Sequence, residues 1–240
     1  VTEMTNQPRV VVTTSWDDGH HLDPKLAALL DKYDVPGTFY IAPRNIEIDP
    51  ANRLSHDGIR ELTERHEIGG HTLSHKRLPF LSDDEARHEI QAGKDELEQI
   101  IGAPITTFCY PRGEYNAKHV GMVRESGFGL ARTVDRHSLE VGDLFEAKTT
   151  INAYAHLVDG PTILRIARMR PAAAVKMYFN WEDFAMAWFD KCLREGGVYH
   201  LWGHSWEVDA RGDWARLERV LDYICRRPDV EYVPNGALIA

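Results

Sequence analysis

The chain predicts an α/β fold of the barrel type, parallel strands inside and helices outside, on three observations. Short β-rich runs alternate with helical patterns along its whole length. The first apolar run, RVVVTT at residues 9–14, is continuous, as a strand buried on both faces should be. Four polar clusters each follow an expected strand, and in a barrel of parallel strands such clusters meet at the C-terminal rim, where barrel active sites sit.

Residues 9–14 form the first strand. A helix over 24–33 follows, with Asp23 as its N-cap and Pro24 in its first turn. Residues 38–41 (TFYI) are the second strand, 59–65 lie in the second helix, and 67–70 are a short third strand. The helix at 82–101 opens on a capping-box pattern, Ser82 with Glu85, and stops at Gly102. A strand at 106–110 leads to a helix at 116–126 that ends at Gly127. Strands at 129–133 and 147–151 come next, then helices at 161–169 and 181–194, the latter capped by Asn180. Residues 198–202 form a strand, 214–226 a helix and 230–233 the last strand. No repeat, low-complexity tract or linker interrupts this order, so one domain over 1–240 is expected.

Composition narrows the function. Hydrophobic residues make up 43% and charged residues 27% of 240, ordinary for a globular protein. The formal net charge of -9, from 28 basic and 37 acidic residues, argues against nucleic acid as a partner. Cys109, Cys192 and Cys225 are odd in number and form no C-x-x-C pair, so neither a zinc ribbon nor a disulfide framework is indicated. The longest aliphatic stretch near the start is Val10 to Val12, too short for a signal-peptide core or a membrane span. A cytoplasmic location is the expectation, with a segment removed upstream of Val1 left open, as is the oligomeric state.

The four clusters carry the chemistry. Asp17 and Asp18 close the first strand as adjacent carboxylates whose side chains diverge, so one can hold a cation while the other faces water or substrate. Asp-Gly is also a common turn dipeptide, and alone the pair would read as a turn. His71 and His75, spaced i, i+4, share a face if their segment is helical, a spacing that suits two ligands of one metal. With Asp18 they make an open two-histidine, one-carboxylate set that fits zinc and also cobalt, nickel, iron or manganese. Gly69-Gly70 just before them allows close backbone approach and an unusual turn. His204 sits between Trp202 and Trp206 at the end of a strand. His200 is expected to bond internally, and histidines 56, 66, 88, 119, 137 and 156 to be solvated.

In order, Trp16-Asp17-Asp18-Gly19, His71-Thr72-Leu73-Ser74-His75, Phe108-Cys109-Tyr110-Pro111-Arg112-Gly113 and Leu201-Trp202-Gly203-His204 resemble motifs of the polysaccharide deacetylases with a NodB homology domain (carbohydrate esterase family 4). The resemblance implies a distorted (β/α) barrel, and a metal-dependent hydrolase that acts on carbon–nitrogen amide bonds. It implies Asp17 as general base, Asp18, His71 and His75 as ligands of one divalent metal, zinc first, and His204 as general acid. Arg112 would supply an oxyanion-binding backbone N–H, with Tyr110, Pro111 and Trp202 beside the substrate. The chain departs from the family twice. Cys109 stands where an arginine usually orients the base, leaving Arg112 or Arg132 to replace it in space. Of the aspartate–tryptophan pair that steadies the histidine, Asp135 is the nearest counterpart.

The leading expectation is deacetylation of an N-acetylated sugar or short glycan, with a small-molecule or glycan substrate, no nucleic acid and no membrane span. The alternative is hydrolysis of a non-sugar C–N bond, as in a ureide, imide or formamide. A carbohydrate-binding protein on a dead hydrolase scaffold is a third reading, opposed by the complete set of Asp17, Asp18, His71, His75 and His204.

Overall fold

The computed structural model describes residues 9–154 and 156–239; residues 1–8 and 240, the ends of the expected 1–240 domain, lie outside them. The strands are β1 (Val10–Asp18), β2 (Gly37–Ile41), β3 (Glu67–Gly70), β4 (Thr107–Cys109), β5 (Leu130–Arg132), β6 (Ile151–Asn152), β7 (Gly197–Gly203) and β8 (Val230–Tyr232). The helices are α1 (Asp23–Lys32), α2 (His56–Leu62), α3 (Asp83–Ile101), α4 (Ala117–Glu125), α5 (Gly160–Ile166), α6 (Pro171–Phe179), α7 (Trp181–Glu195), α8 (Ser205–Ala210) and α9 (Trp214–Ile224). The strand pairs are all parallel, in the order β5-β4-β3-β2-β1-β7-β6, with β8 also on β1.

β1 is the axis of the fold. One edge pairs with β7 from Val10 to Trp16, while the other is shared, Val10–Val12 with β8 and Thr14–Asp18 with β2. All nine of its residues are buried, which is why its sequence runs apolar without a solvent face. Side chains alternate across a strand. Val10, Val12 and Trp16 join the apolar layer under the helices with Leu26, Leu30 and Phe39. Thr13, Ser15 and Asp17 point the other way, into a polar barrel interior. Thr13 Oγ1 donates to Asn235 Oδ1 (2.7 Å), Ser15 Oγ pairs with His200 Nε2 (2.8 Å), and Asp17 meets Arg132. His200 therefore bonds internally as expected, and burial pushes its pKa well down.

The barrel closes imperfectly. The strand expected at 147–151 is split: Ala147 reaches β5 through one bridge to Arg132, while Ile151–Asn152 pairs with β7. The backbone between them bonds elsewhere, Thr149 N–H donating to the Asp135 carbonyl (2.7 Å). Other expectations are corrected by local contacts. Asp23 is not the N-cap of α1, which is Leu22; its carboxylate instead accepts from His20 N–H (3.0 Å) and Ser205 Oγ (2.5 Å). Asn180 precedes α7 but turns its amide back to the Lys176 carbonyl. Helices α6 and α8 were not anticipated. His66 and His119 are buried, each ring accepting a backbone N–H, from Gly37 (3.1 Å) and Asn116 (3.1 Å). Among the described residues no helix is long and apolar enough to cross a membrane.

Candidate active site

The four motifs meet at the C-terminal ends of β1, β3, β4 and β7, around a cleft of about 390 Å³. Asp17, Asp18, His71, His75, Trp202 and His204 all line it.

Asp17 projects inward on the strand alternation, and Arg132, fully buried at the end of β5, contacts both its carboxylate oxygens through Nη2. Sheet register explains the contact: Arg132 lies beside Cys109, and Cys109 Sγ is itself 3.8 Å from Asp17 Oδ2. Of the two arginines open to stand in at the Cys109 position, Arg132 is the one that reaches Asp17. Trp202 covers its guanidinium, 4.6 Å from the ring centroid. Arg112 instead sends its side chain to Glu47 (2.8 and 2.9 Å). Its backbone is left-handed (φ 57°), an uncommon state for a residue with a Cβ. Tyr110 lines the cleft and donates its hydroxyl to the Phe145 carbonyl (3.0 Å); Pro111 is buried and is not part of the lining.

Asp18 ends β1 with φ 89°, which swings its carboxylate away from Asp17 and toward the histidines. Its Oδ1 lies 3.6 Å from His71 Nε2 and 3.3 Å from His75 Nε2, and its Oδ2 accepts from Trp206 Nε1 (2.8 Å). The 71–75 segment is not helical, so the shared face expected from i, i+4 spacing arises otherwise. Thr72 and His75 both take φ 63°, folding the segment so that the imidazole centroids stand 4.8 Å apart. The unusual backbone thus falls after Gly69-Gly70. Gly69 serves close approach: a Cβ there would sit 2.5 Å from the Tyr40 ring.

Helix α3 carries the segment. Leu73 N–H donates to the Glu89 carbonyl (2.8 Å), and the buried Glu89 carboxylate accepts from both N–H (2.9 Å) and Oγ (2.7 Å) of Ser74. Gly93, one turn on, lets the Thr72 carbonyl carbon approach to 2.5 Å from where a Cβ would stand.

The donor set fits a divalent cation. Asp18, His71 and His75 each offer one ligand atom, all within 4.8 Å of one another. His71 Nδ1 pairs with the Cys109 carbonyl (2.7 Å), which directs Nε2 at Asp18, the outer-layer arrangement typical of a metal histidine. Burial alone would raise the Asp18 pKa. The hydrogen bond to His71 and the charges of His204, His75 and His71 instead hold it well below the usual carboxylate range. Asp17, His71 and Cys109 make a second set of similar span. It fits less well, because Arg132 occupies Asp17 and burial raises the Cys109 pKa, keeping it a thiol.

His204 Nε2 is 3.9 Å from Asp18 Oδ2, and its Nδ1 pairs with Glu207 Oε2 (3.2 Å). Burial lowers its pKa, but the Glu207 bond and the charges of Asp18, Asp17 and Glu207 outweigh that and raise it. The partner sought in Asp135 is therefore Glu207. Asp135 is exposed, and its backbone is what bonds, to Thr133 and Thr149. Glu207 was legible only as the i+3 neighbour of His204 on an unanticipated helix. Arg136, Tyr154 and His156 also line the cleft unannounced by any motif, and His156 is half-buried there instead of solvated.

A family model described as polysaccharide deacetylase matches residues 4–131. A peptidoglycan-N-acetylglucosamine deacetylase of Bacillus cereus is 29% identical over 125 residues, 50% of this chain and 43% of the relative, so the chain spans less than half that relative's length. A solved structure from Mycobacterium smegmatis, assigned to the polysaccharide deacetylases, superimposes with a TM-score of 0.70 at 18% identity, covering 99% of this chain and 91% of the other. A CE4 family pseudoenzyme of Bacillus anthracis gives a TM-score of 0.58 at 14% identity, covering 97% and 66%. At such identities the two structures speak for the shared fold, the distorted barrel of the NodB domain. With a pseudoenzyme among them, activity has to be argued from side chains.

Proposed function

The chain belongs to the polysaccharide deacetylase family, and we propose that it hydrolyses an acyl group, in the first place N-acetyl, from an amino sugar or glycan. The observation that carries this reading is the pairing of two differently equipped carboxylates. Asp18 faces His71 and His75, whereas Asp17, one residue away, is gripped by Arg132.

Asp18, His71 and His75 would hold one divalent cation, zinc before cobalt, nickel, iron or manganese. Such a cation supplies Lewis acidity, making a water easier to deprotonate and drawing charge from the acyl oxygen. Asp17 then takes the proton of the attacking water, its carboxylate kept in one orientation by Arg132. His204 returns a proton to the departing amine through Nε2, with Nδ1 held by Glu207. The backbone N–H of Arg112 would donate to the developing oxyanion, which gives its left-handed conformation a use. Trp206, exposed at the cleft, offers an aromatic face to a sugar ring, with the buried Trp202 in the cleft wall behind Arg132. The products are the free carboxylic acid and the amine.

The test is release of acetate from N-acetylated glucosamine oligomers and peptidoglycan fragments by zinc- or cobalt-loaded protein, with ureides and formamides assayed in parallel. Turnover of the glycans alone supports the proposal; turnover of the small C–N substrates alone replaces it.

A further inference from the structure

We propose that the α5–α6 hairpin docks the protein on an anionic lipid bilayer. Three observations outside the active site converge on residues 158–194. The first is apolar exposure. Among the described residues, six of the ten large hydrophobic side chains left exposed lie here: Val158, Leu164, Met169, Val175, Phe179 and Leu193. Val158 is 76%, Met169 73% and Phe179 70% exposed, values that no core requirement explains. Ile163, Leu164, Val175 and Phe179 border an apolar groove of about 250 Å³ between α5 and α6.

The second is charge. Residues 160–180 contain Arg165, Arg168, Arg170 and Lys176 and not one Asp or Glu, in a chain whose net charge is -9. Arg165, Arg168 and Arg170 are exposed, and among the described residues no carboxylate pairs with them. On the other side of α5, Arg165 and Arg168 border a second cleft of about 280 Å³ together with Arg194, the buried Trp188 and the Lys191–Glu195 ion pair. Among the described residues the indole Nε1 of Trp188 finds no hydrogen-bond partner.

The third is the shape of the tip. Arg168 and Met169 both adopt left-handed backbone (φ 51° and 58°), so the turn projects a methionine flanked by Arg168 and Arg170. Exposed apolar side chains with three unpaired arginines, Arg165, Arg168 and Arg170, on the same hairpin suit the boundary between acyl chains and anionic headgroups. The alternatives fit less well. A symmetric dimer through this face would set each cation cluster against its own copy. A nucleic acid would use the arginines and leave the groove open to water.

Cosedimentation with vesicles of phosphatidylglycerol and phosphatidylcholine, against phosphatidylcholine alone, tests the idea on the full chain. Binding is expected only to the anionic vesicles and should weaken with salt. Each basic residue near such a surface is worth roughly fivefold in partitioning. The double variant R168E/R170E should therefore bind at least tenfold more weakly, as should M169D; all three positions are exposed, so folding should be unaffected. R87E/K118E, which reverses two charges on α3 and α4, should bind like wild type. Equal binding to both vesicle types, or no response to R168E/R170E and M169D, overturns the proposal. So does concentration-dependent dimerisation abolished by F179S without vesicle binding, which would assign the face to a second copy. The readout is independent of turnover, so it stands apart from the catalytic reading.

Discussion

Asp17 and Asp18 are identical side chains on consecutive residues, and the fold separates their chemistry by geometry alone. Strand alternation aims one into the barrel at Arg132, while a left-handed backbone turns the other toward two imidazoles. Asp17→Asn should therefore keep metal stoichiometry by elemental analysis and lose turnover by a factor of about 10² or more. His75→Ala should lose the metal, and with it the rise in Tm that zinc gives the wild type; an unchanged zinc-dependent shift would remove His75 from the ligand set. Arg132→Met leaves the buried Asp17 charge uncompensated, a defect of about 3–5 kcal/mol. It should lower both stability in urea and kcat. Stability and rate equal to wild type would show that the ion pair does not hold the base. The sequence left Arg112 and Arg132 as alternative partners of Asp17 and could not choose between them, for a definite reason. Arg132 lies 115 positions from Asp17, and only the β1-to-β5 curl of the sheet makes them neighbours. The motif residues themselves were legible, because each needs only its own strand end to reach the rim.

At the scale of elements, the readable pieces were those whose local signals agree with their burial. β1 has an unbroken apolar run. α3 has its Ser82–Glu85 capping box and a left-handed Gly102 to end it, and the structure contains both. α6 was missed because PAAAVKMYF sets exposed and buried apolar residues side by side and offers no polar face to reveal a period. α8 was missed because its first residues, Ser205 and Trp206, read as the tail of the His204 motif. The contribution of α3 to the site was equally invisible, since Glu89 and Gly93 look like ordinary helix positions. Gly93→Ala tests it. In an exposed helix this change gains up to about 1 kcal/mol, but here the new Cβ would meet the Thr72 backbone at 2.5 Å. The expected outcome is a protein less stable in urea and weaker in zinc affinity by at least about tenfold, since displaced outer-layer contacts commonly cost that much. A stabilised variant with normal zinc affinity would show that the loop is not held by this packing.

At the scale of the whole molecule, the rim is tied together by a carboxyl outside every motif. Asp23, fully buried at the start of α1, accepts from His20 N–H just after the Asp18 turn and from Ser205 Oγ just after His204, so it joins the ends of β1 and β7. Burial is the main reason its pKa is pushed up to about 8, reinforced by the Asp18 charge and opposed by the bonds from Ser205 and His20. In the unfolded chain the group would titrate near the ordinary aspartate value of about 4. Below that pH both states carry the proton and the group leaves stability unchanged. Between about pH 4 and pH 8 the unfolded chain has released its proton while the folded protein keeps it, so stability falls as pH rises. Above pH 8 both are ionised and the loss is complete. The slope in that window is about 1.4 kcal/mol per pH unit. Asp23→Asn cannot ionise and removes that slope while retaining an acceptor oxygen. Urea unfolding of both proteins at pH 5, 6, 7 and 8 isolates the group, because other titrations cancel in the difference. The stability of the variant relative to wild type should climb steadily across the series and level off above pH 8. A difference that stays flat from pH 5 to pH 8 would mean that Asp23 is ionised in the folded protein and that the two strand ends are joined by a charge.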